Sequence, residues 1–273
     1  MFNLFTPIWI FLEKTKLMNK RKRFLITSLI LSFGFGSFQF LENQYRFYAI
    51  GLLAILTIIL FFFSLKEGLG KNMTLLTLIL PTFFTVGVGV FWFLLPTNFL
   101  TRLPIIAFYA IGIYVLCLTM NIFTVAAIRT IALLRAARGV SFVLTLLTSF
   151  LIFDAFMSLK IPVYYLVPLI FFFTFPIFFQ GFWTSSLERN YERNIFNISF
   201  YSSLIVGEIA AMLFFWPVTV VVGSLCLTIV VYMLLGLGQA KIETRLFYQT
   251  VREYLLVGIL VFTAMFLSTH WSG

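Results

Sequence analysis

In this chain of 273 residues, 62% are hydrophobic and 10% charged, against roughly 45–50% and about 25% in a soluble domain, so a water-soluble fold is excluded. The net charge of +10 resembles a nucleic-acid signature, but the 19 Lys and Arg residues fall in the gaps between apolar runs. They report membrane orientation, and no nucleic-acid partner is expected. Organisation is therefore counted in spans, each needing about 20 apolar residues in helical form because lipid offers the backbone no water.

Residues 1–23 read as a basic cytoplasmic or interfacial segment. The opening MFNLFTPIWIFL is too short to cross a bilayer and is expected to lie at its surface, with residues 1–17 a peripheral extension. The basic cluster from Lys14 to Arg23 precedes a full-length span without a small-residue cleavage site, which argues against a cleaved signal peptide. Residues 24–273 are predicted to form one all-α, polytopic transmembrane bundle of nine helices, at 24–41, 47–65, 73–95, 104–127, 140–159, 161–183, 195–215, 218–237 and 254–271.

The basic residues test this count, because cytoplasmic loops of membrane proteins are enriched in Lys and Arg. With the N-terminus inside, the inner segments carry Lys14, Lys16, Lys20, Arg21, Lys22, Arg23, Lys66, Lys71, Arg129, Arg135, Arg138, Arg189, Arg193, Lys241, Arg245 and Arg252. The outer segments carry Arg46, Arg102 and Lys160. A multi-pass protein of the cell's inner membrane is expected, with its C-terminus outside. Nine spans also permit, without requiring, a four-plus-four arrangement around the fifth.

The first and third spans carry glycine pairs, Gly34 with Gly36 and Gly87 with Gly89, which suit close helix packing. Asn121 in the fourth span reads as an interhelical hydrogen bond. In the loop IRTIALLRAARG, Arg129, Arg135 and Arg138 are read as a surface helix held at anionic inner-leaflet lipids. SLERNYERN repeats Glu-Arg four residues apart and is expected to extend the seventh helix.

Within the spans, two acids draw attention. Asp154 lies near the outer end of the fifth helix, where it reads either as an interfacial carboxylate reaching for water or as a coupling group. The Thr145, Thr148 and Ser149 face points roughly opposite to it, so this helix is expected to be packed on two sides. In the sixth span Pro168 and Pro176 remove backbone hydrogen bonds within the membrane. Glu208 sits in the seventh span beside a stripe of Ser203, Gly207 and Ala211. That stripe is expected to turn Glu208 toward the bundle, as helix-joining acid or as a site for protons, cations or substrate.

Absent motifs narrow the function. The chain lacks GxxxxGK[ST], HExxH and GxSxG, and its one histidine and two separated cysteines are too few donors for a protein-ligated zinc or haem site. No cofactor or metal is implied. The favoured reading is a secondary carrier of a small solute or lipid-linked precursor, with an outward-facing polar cavity drawing on Glu208, Asp154 and Arg102. One rival is a non-catalytic subunit of a membrane assembly, with protein partners in the bilayer. The other is a membrane-embedded enzyme of envelope lipids, which needs the acids to converge with a cation such as Arg102.

The topology is testable by cysteine labelling on a background lacking Cys117 and Cys226. Arg46→Cys should react from outside, and Gly70→Cys and Asn190→Cys only after permeabilisation. The reverse pattern would invert the bundle.

Overall fold

The computed structural model describes residues 20–37, 45–69, 73–94, 99–128, 132–187 and 192–269. Among them are nine α-helices and no strand. They are α1 Lys20–Ser37, α2 Arg46–Leu65, α3 Ile79–Phe91, α4 Phe99–Ala126, α5 Leu134–Ser158, α6 Val163–Ser186, α7 Arg193–Phe214, α8 Val220–Ile242 and α9 Tyr248–Ser268. Short 3-10 turns, Met73–Leu78 and Trp92–Leu94, extend α3 at both ends. Counting α3 with these turns, eight of the helices are long and apolar enough to cross a membrane. In α1, Lys20, Arg21, Lys22 and Arg23 occupy the first turn, which lowers its apolar content. The predicted end of that first span, residues 38–41, lies outside the described residues.

Several boundaries differ from the sequence reading, α4 beginning at Phe99 where 104 is expected, and in two places helix continues through polar residues. The expected surface helix after the fourth span is instead the first turns of α5, which starts at Leu134. Likewise α8 runs on to Ile242, and α9 begins at Tyr248 after a tight turn in which Thr244 takes a left-handed φ of 55°. Both extensions carry helix-forming Ala, Leu, Arg, Lys and Gln, so propensity and charge are compatible with helix beyond the apolar run.

Helix α5 is the hub. It packs against α3, α4, α6 and α8, and consecutive residues belong to different cores. Leu144 and Leu151 join a core built from α1 to α4, while Ile152 and Phe153 join one built from α6 to α9. Polar side chains on two faces of this helix, Thr148 and Ser149 on one and Asp154 on the other, are buried against these neighbours, while Val143 remains exposed. Helix α9, by contrast, leans mainly on α8 and is little buried.

Most buried hydroxyls are satisfied in one of two ways, Ser149 being an exception whose hydroxyl has no partner among the described residues. Those of Thr145, Thr148, Thr174, Ser199 and Ser203 donate to the carbonyl four residues earlier, which satisfies them without a partner helix. Others join helices: Thr27 pairs with Ser64 at 2.7 Å, Ser28 donates to the Ala110 carbonyl at 2.6 Å, and Thr85 links Thr57 and Tyr109 at 3.1 and 3.0 Å.

The glycine pairs lie at close approaches. A Cβ on Gly87 would come within 2.9 Å of Ile152 Cγ1 on α5, one on Gly89 within 3.0 Å of Ile50, and one on Gly34 within 3.1 Å of Leu53. At Gly36 the nearest atom, Ile106 Cδ1, would be an ordinary 3.6 Å away. Gly87→Ala is expected to lower the thermal midpoint in detergent through overpacking of about 1–3 kcal/mol. Gly51→Ala, whose methyl would meet nothing within 4 Å, should be neutral or stabilising. Equal midpoints for the two variants would remove the close-packing account.

Candidate functional site

The acid that the bundle encloses is Asp154. It is 6% exposed, and its Oδ1 lies 3.2 Å from the Ser224 hydroxyl across the α5–α8 contact. That hydroxyl is also 2.9 and 3.0 Å from the carbonyls of Val220 and Val221 in its own helix. One hydroxyl hydrogen serves one acceptor well at a time, so the carboxylate shares its donor with the backbone. Among the described residues no cation forms an ion pair with Asp154. Its interfacial reading is corrected: α5 is covered by α8 on this face, and the side chain points into the protein.

One turn from Asp154, a pocket of about 300 Å³ opens among the ends of α5, α6, α7 and α8. Met157, Lys160, Leu166, Trp216 and Val220 are among the residues lining it. Met157 follows Asp154 on α5, and its methyl rests on Gly223, where an added Cβ would lie 2.7 Å away. Val220 and Ser224 are likewise one turn apart on α8. The carboxylate and its partner therefore lie just below the lining of this pocket, next to the Met157–Gly223 contact.

Glu208 lies elsewhere, and its expected bundle-facing position is overturned. Ile195, Ser199, Ser202, Ser203, Val206, Gly207, Ala210 and Leu213 form the buried face of α7, whereas Glu208 is exposed. At about 100° per residue, Glu208 lies nearly half a turn from the centre of that face. Gly207 and Ser203 do pack inward, but Ala211 marks only the edge. Three-residue spacing from an edge residue placed Glu208 on the wrong side.

Arg102 belongs to a third location. It is 4% exposed, at the start of α4, with its guanidinium carbon 5.0 Å from the centre of the Trp92 ring. Asp154, Glu208 and Arg102 do not converge.

At the opposite end of α5, Arg138 makes its contacts within the protein. Its Nε donates to the Thr184 carbonyl at 3.0 Å and its Nη2 to the Ser185 carbonyl at 2.7 Å, while its Nη1 pairs with Glu243 at 2.7 Å. The last carbonyls of a helix lack intrahelical donors, and here one guanidinium supplies them to α6 while tying α5 to the end of α8. Gln239 adds a bond to the Gly181 carbonyl at 3.0 Å. Arg135 is exposed, and Arg129 lies outside the described residues. On the same end, Lys20 and Arg23 hydrogen-bond Glu67 and hold its carboxyl below the usual range.

Sequence reasoning missed Ser224, Glu243 and Gln180. Gln180 is buried in α6 and accepts from the Leu80 backbone N–H at 2.8 Å, where the 3-10 turn gives way to α3. A lone amide in an apolar helix was the available signal.

These features define a polytopic helical membrane protein with one enclosed acid among the described residues. A family model described as Protein of unknown function (DUF5656) matches residues 33–268, from within α1 to the end of α9, and the chain belongs to that family. No curated protein and no solved structure matches.

The fork geometry at Arg138 makes Lys a poor substitute. Arg138→Lys should destabilise the purified protein by about 1–3 kcal/mol, close to Arg138→Gln, because hydrogen bonds to charged groups are lost. Arg135→Gln should leave thermal unfolding unchanged. Full stability in Arg138→Lys would restore the simple anchoring account.

Proposed function

We propose that this protein is a secondary carrier of a small solute in a cell's inner membrane, with Asp154 as its substrate-contacting or ion-coupling acid and α5 to α8 as the helices that gate access. The N-terminus lies in the cytoplasm, so the Lys160 pocket faces outward. The observation that carries this reading is the arrangement along α5. Arg138 closes one end by bridging α6 and α8, Asp154 is enclosed roughly 24 Å further along at 1.5 Å per residue, and the pocket opens beyond it.

An intramembrane acid is costly and usually faces protein or a pathway. A carrier in an outward-facing state needs a closed inner end, a polar site within the membrane and an opening beyond it. All three elements lie on α5 and its neighbours. The pocket's volume suits a small solute better than a lipid-linked precursor, since ligand pockets run from about 300 Å³ upward. The enzyme reading loses support because the acids and Arg102 are dispersed.

The gating scheme is testable by labelling, without a known substrate. On a background lacking both native cysteines, Met157→Cys should react with an impermeant thiol reagent from outside, and Thr184→Cys should be protected from inside. Adding Arg138→Ala should reverse both, because weakening the closed inner end by about 1.4 kcal/mol shifts the two populations about tenfold. Unchanged labelling at both positions, in a variant that remains folded, would sink the gating scheme. Asp154→Asn should retain the labelling pattern and lose solute or ion flux in proteoliposomes; undiminished flux would remove Asp154 from the site.

A further inference from the structure

The carrier reading leaves Glu208 without a role. It stands on the outer surface of α7, roughly 10 Å from the Trp216 end by helical rise. It makes no hydrogen bond or ion pair among the described residues. A charged side chain facing hydrocarbon costs about 2.5–3.5 kcal/mol on insertion scales. The described residues supply no partner to offset that cost.

Around Glu208 the surface is shaped. A groove of about 350 Å³ runs between α6 and α7. Gly207 keeps its floor low, with the Val167 side chain 3.4 Å from where a Cβ would be. Phe172 and Leu204, both exposed, form walls. Pro168 also lines the groove and withholds the N–H that a regular helix would offer the Tyr164 carbonyl. The surface thus presents a carboxylate and lacks a donor to match it.

The geometry points to this groove as the docking surface for a transmembrane helix of a different protein, one that places Arg or Lys opposite Glu208. The small residue at the floor allows close backbone approach, and interhelical polar contacts add affinity. A second copy is the poorer occupant, because two-fold docking on the same surface would set Glu208 against Glu208. The inference is independent of the carrier reading, since Glu208 and Asp154 lie on different helices and face different surroundings.

The test uses full-length protein, fluorescently labelled, in phosphatidylcholine–phosphatidylglycerol liposomes, with labelled leucine–alanine transmembrane peptides. One peptide carries a single Arg about 10 Å from the end matching Trp216, two carry Gln or Glu there, and one carries Arg near the other end. Energy transfer should show the first binding about threefold to thirtyfold more tightly than the others. Glu208→Gln should abolish the preference, and Glu208→Lys should transfer it to the Glu peptide. Because the side chain is exposed and has no partner among the described residues, these variants should unfold at the wild-type temperature. Equal binding of all four peptides, or none of any, would overturn the proposal. Glu208-dependent transfer between differently labelled copies without peptide would overturn it in favour of self-association.

Discussion

In a bilayer, a polar group that the protein does not satisfy stays unsatisfied, and this constraint orders most of the structure. Threonine and serine hydroxyls fold back onto their own helices. Gln180 completes the start of a neighbouring helix, and the Arg138 guanidinium completes the end of another. Once these needs are met inside the protein, the exceptions carry information. Among the described residues, Ser149 Oγ and Trp92 Nε1 are buried without a partner, Asp154 shares a donor that its own helix neighbours also claim, and Glu208 has none. The two acids are alike in residue type and in depth, yet opposite in environment.

Much of the fold was legible in the sequence because the signals are local. An apolar run of span length must be helical, and loop charge follows loop side, so helices appear where the runs stand. The two polar faces of α5 likewise foretold a helix covered on both sides, since Thr148 and Ser149 are buried along with Asp154. Helix ends were less legible. Hydropathy marks where lipid stops, whereas α5 and α8 continue through charged residues that are good helix formers.

The site was less legible because it depends on pairings across the chain. Ser224 meets Asp154 seventy positions away, and Glu243 meets Arg138 at a separation of 105. No local spacing encodes either pair. For Glu208 the error was one of weighting. Ser203 and Gly207 are buried, but Ala211 lies at the edge of that face, and a residue three places from an edge can point away. Weighing all eight buried positions of α7 puts Glu208 outside.

Helix α6 connects the two proposals physically. Its C-terminal carbonyls are held by Arg138, its middle carries Pro168 and Pro176, and its flank forms one wall of the Glu208 groove. A proline within a helix removes a backbone hydrogen bond and localises bending. A helix bound in the groove would press on α6 beside Pro168, between the clamped end and the end that borders the Lys160 pocket. Any bend there would change the separation between α6 and α5 at the pocket while Arg138 kept the other end fixed. In this arrangement a bound partner would not need to reach Asp154 to affect its exposure, because α6 itself spans the distance between the two sites.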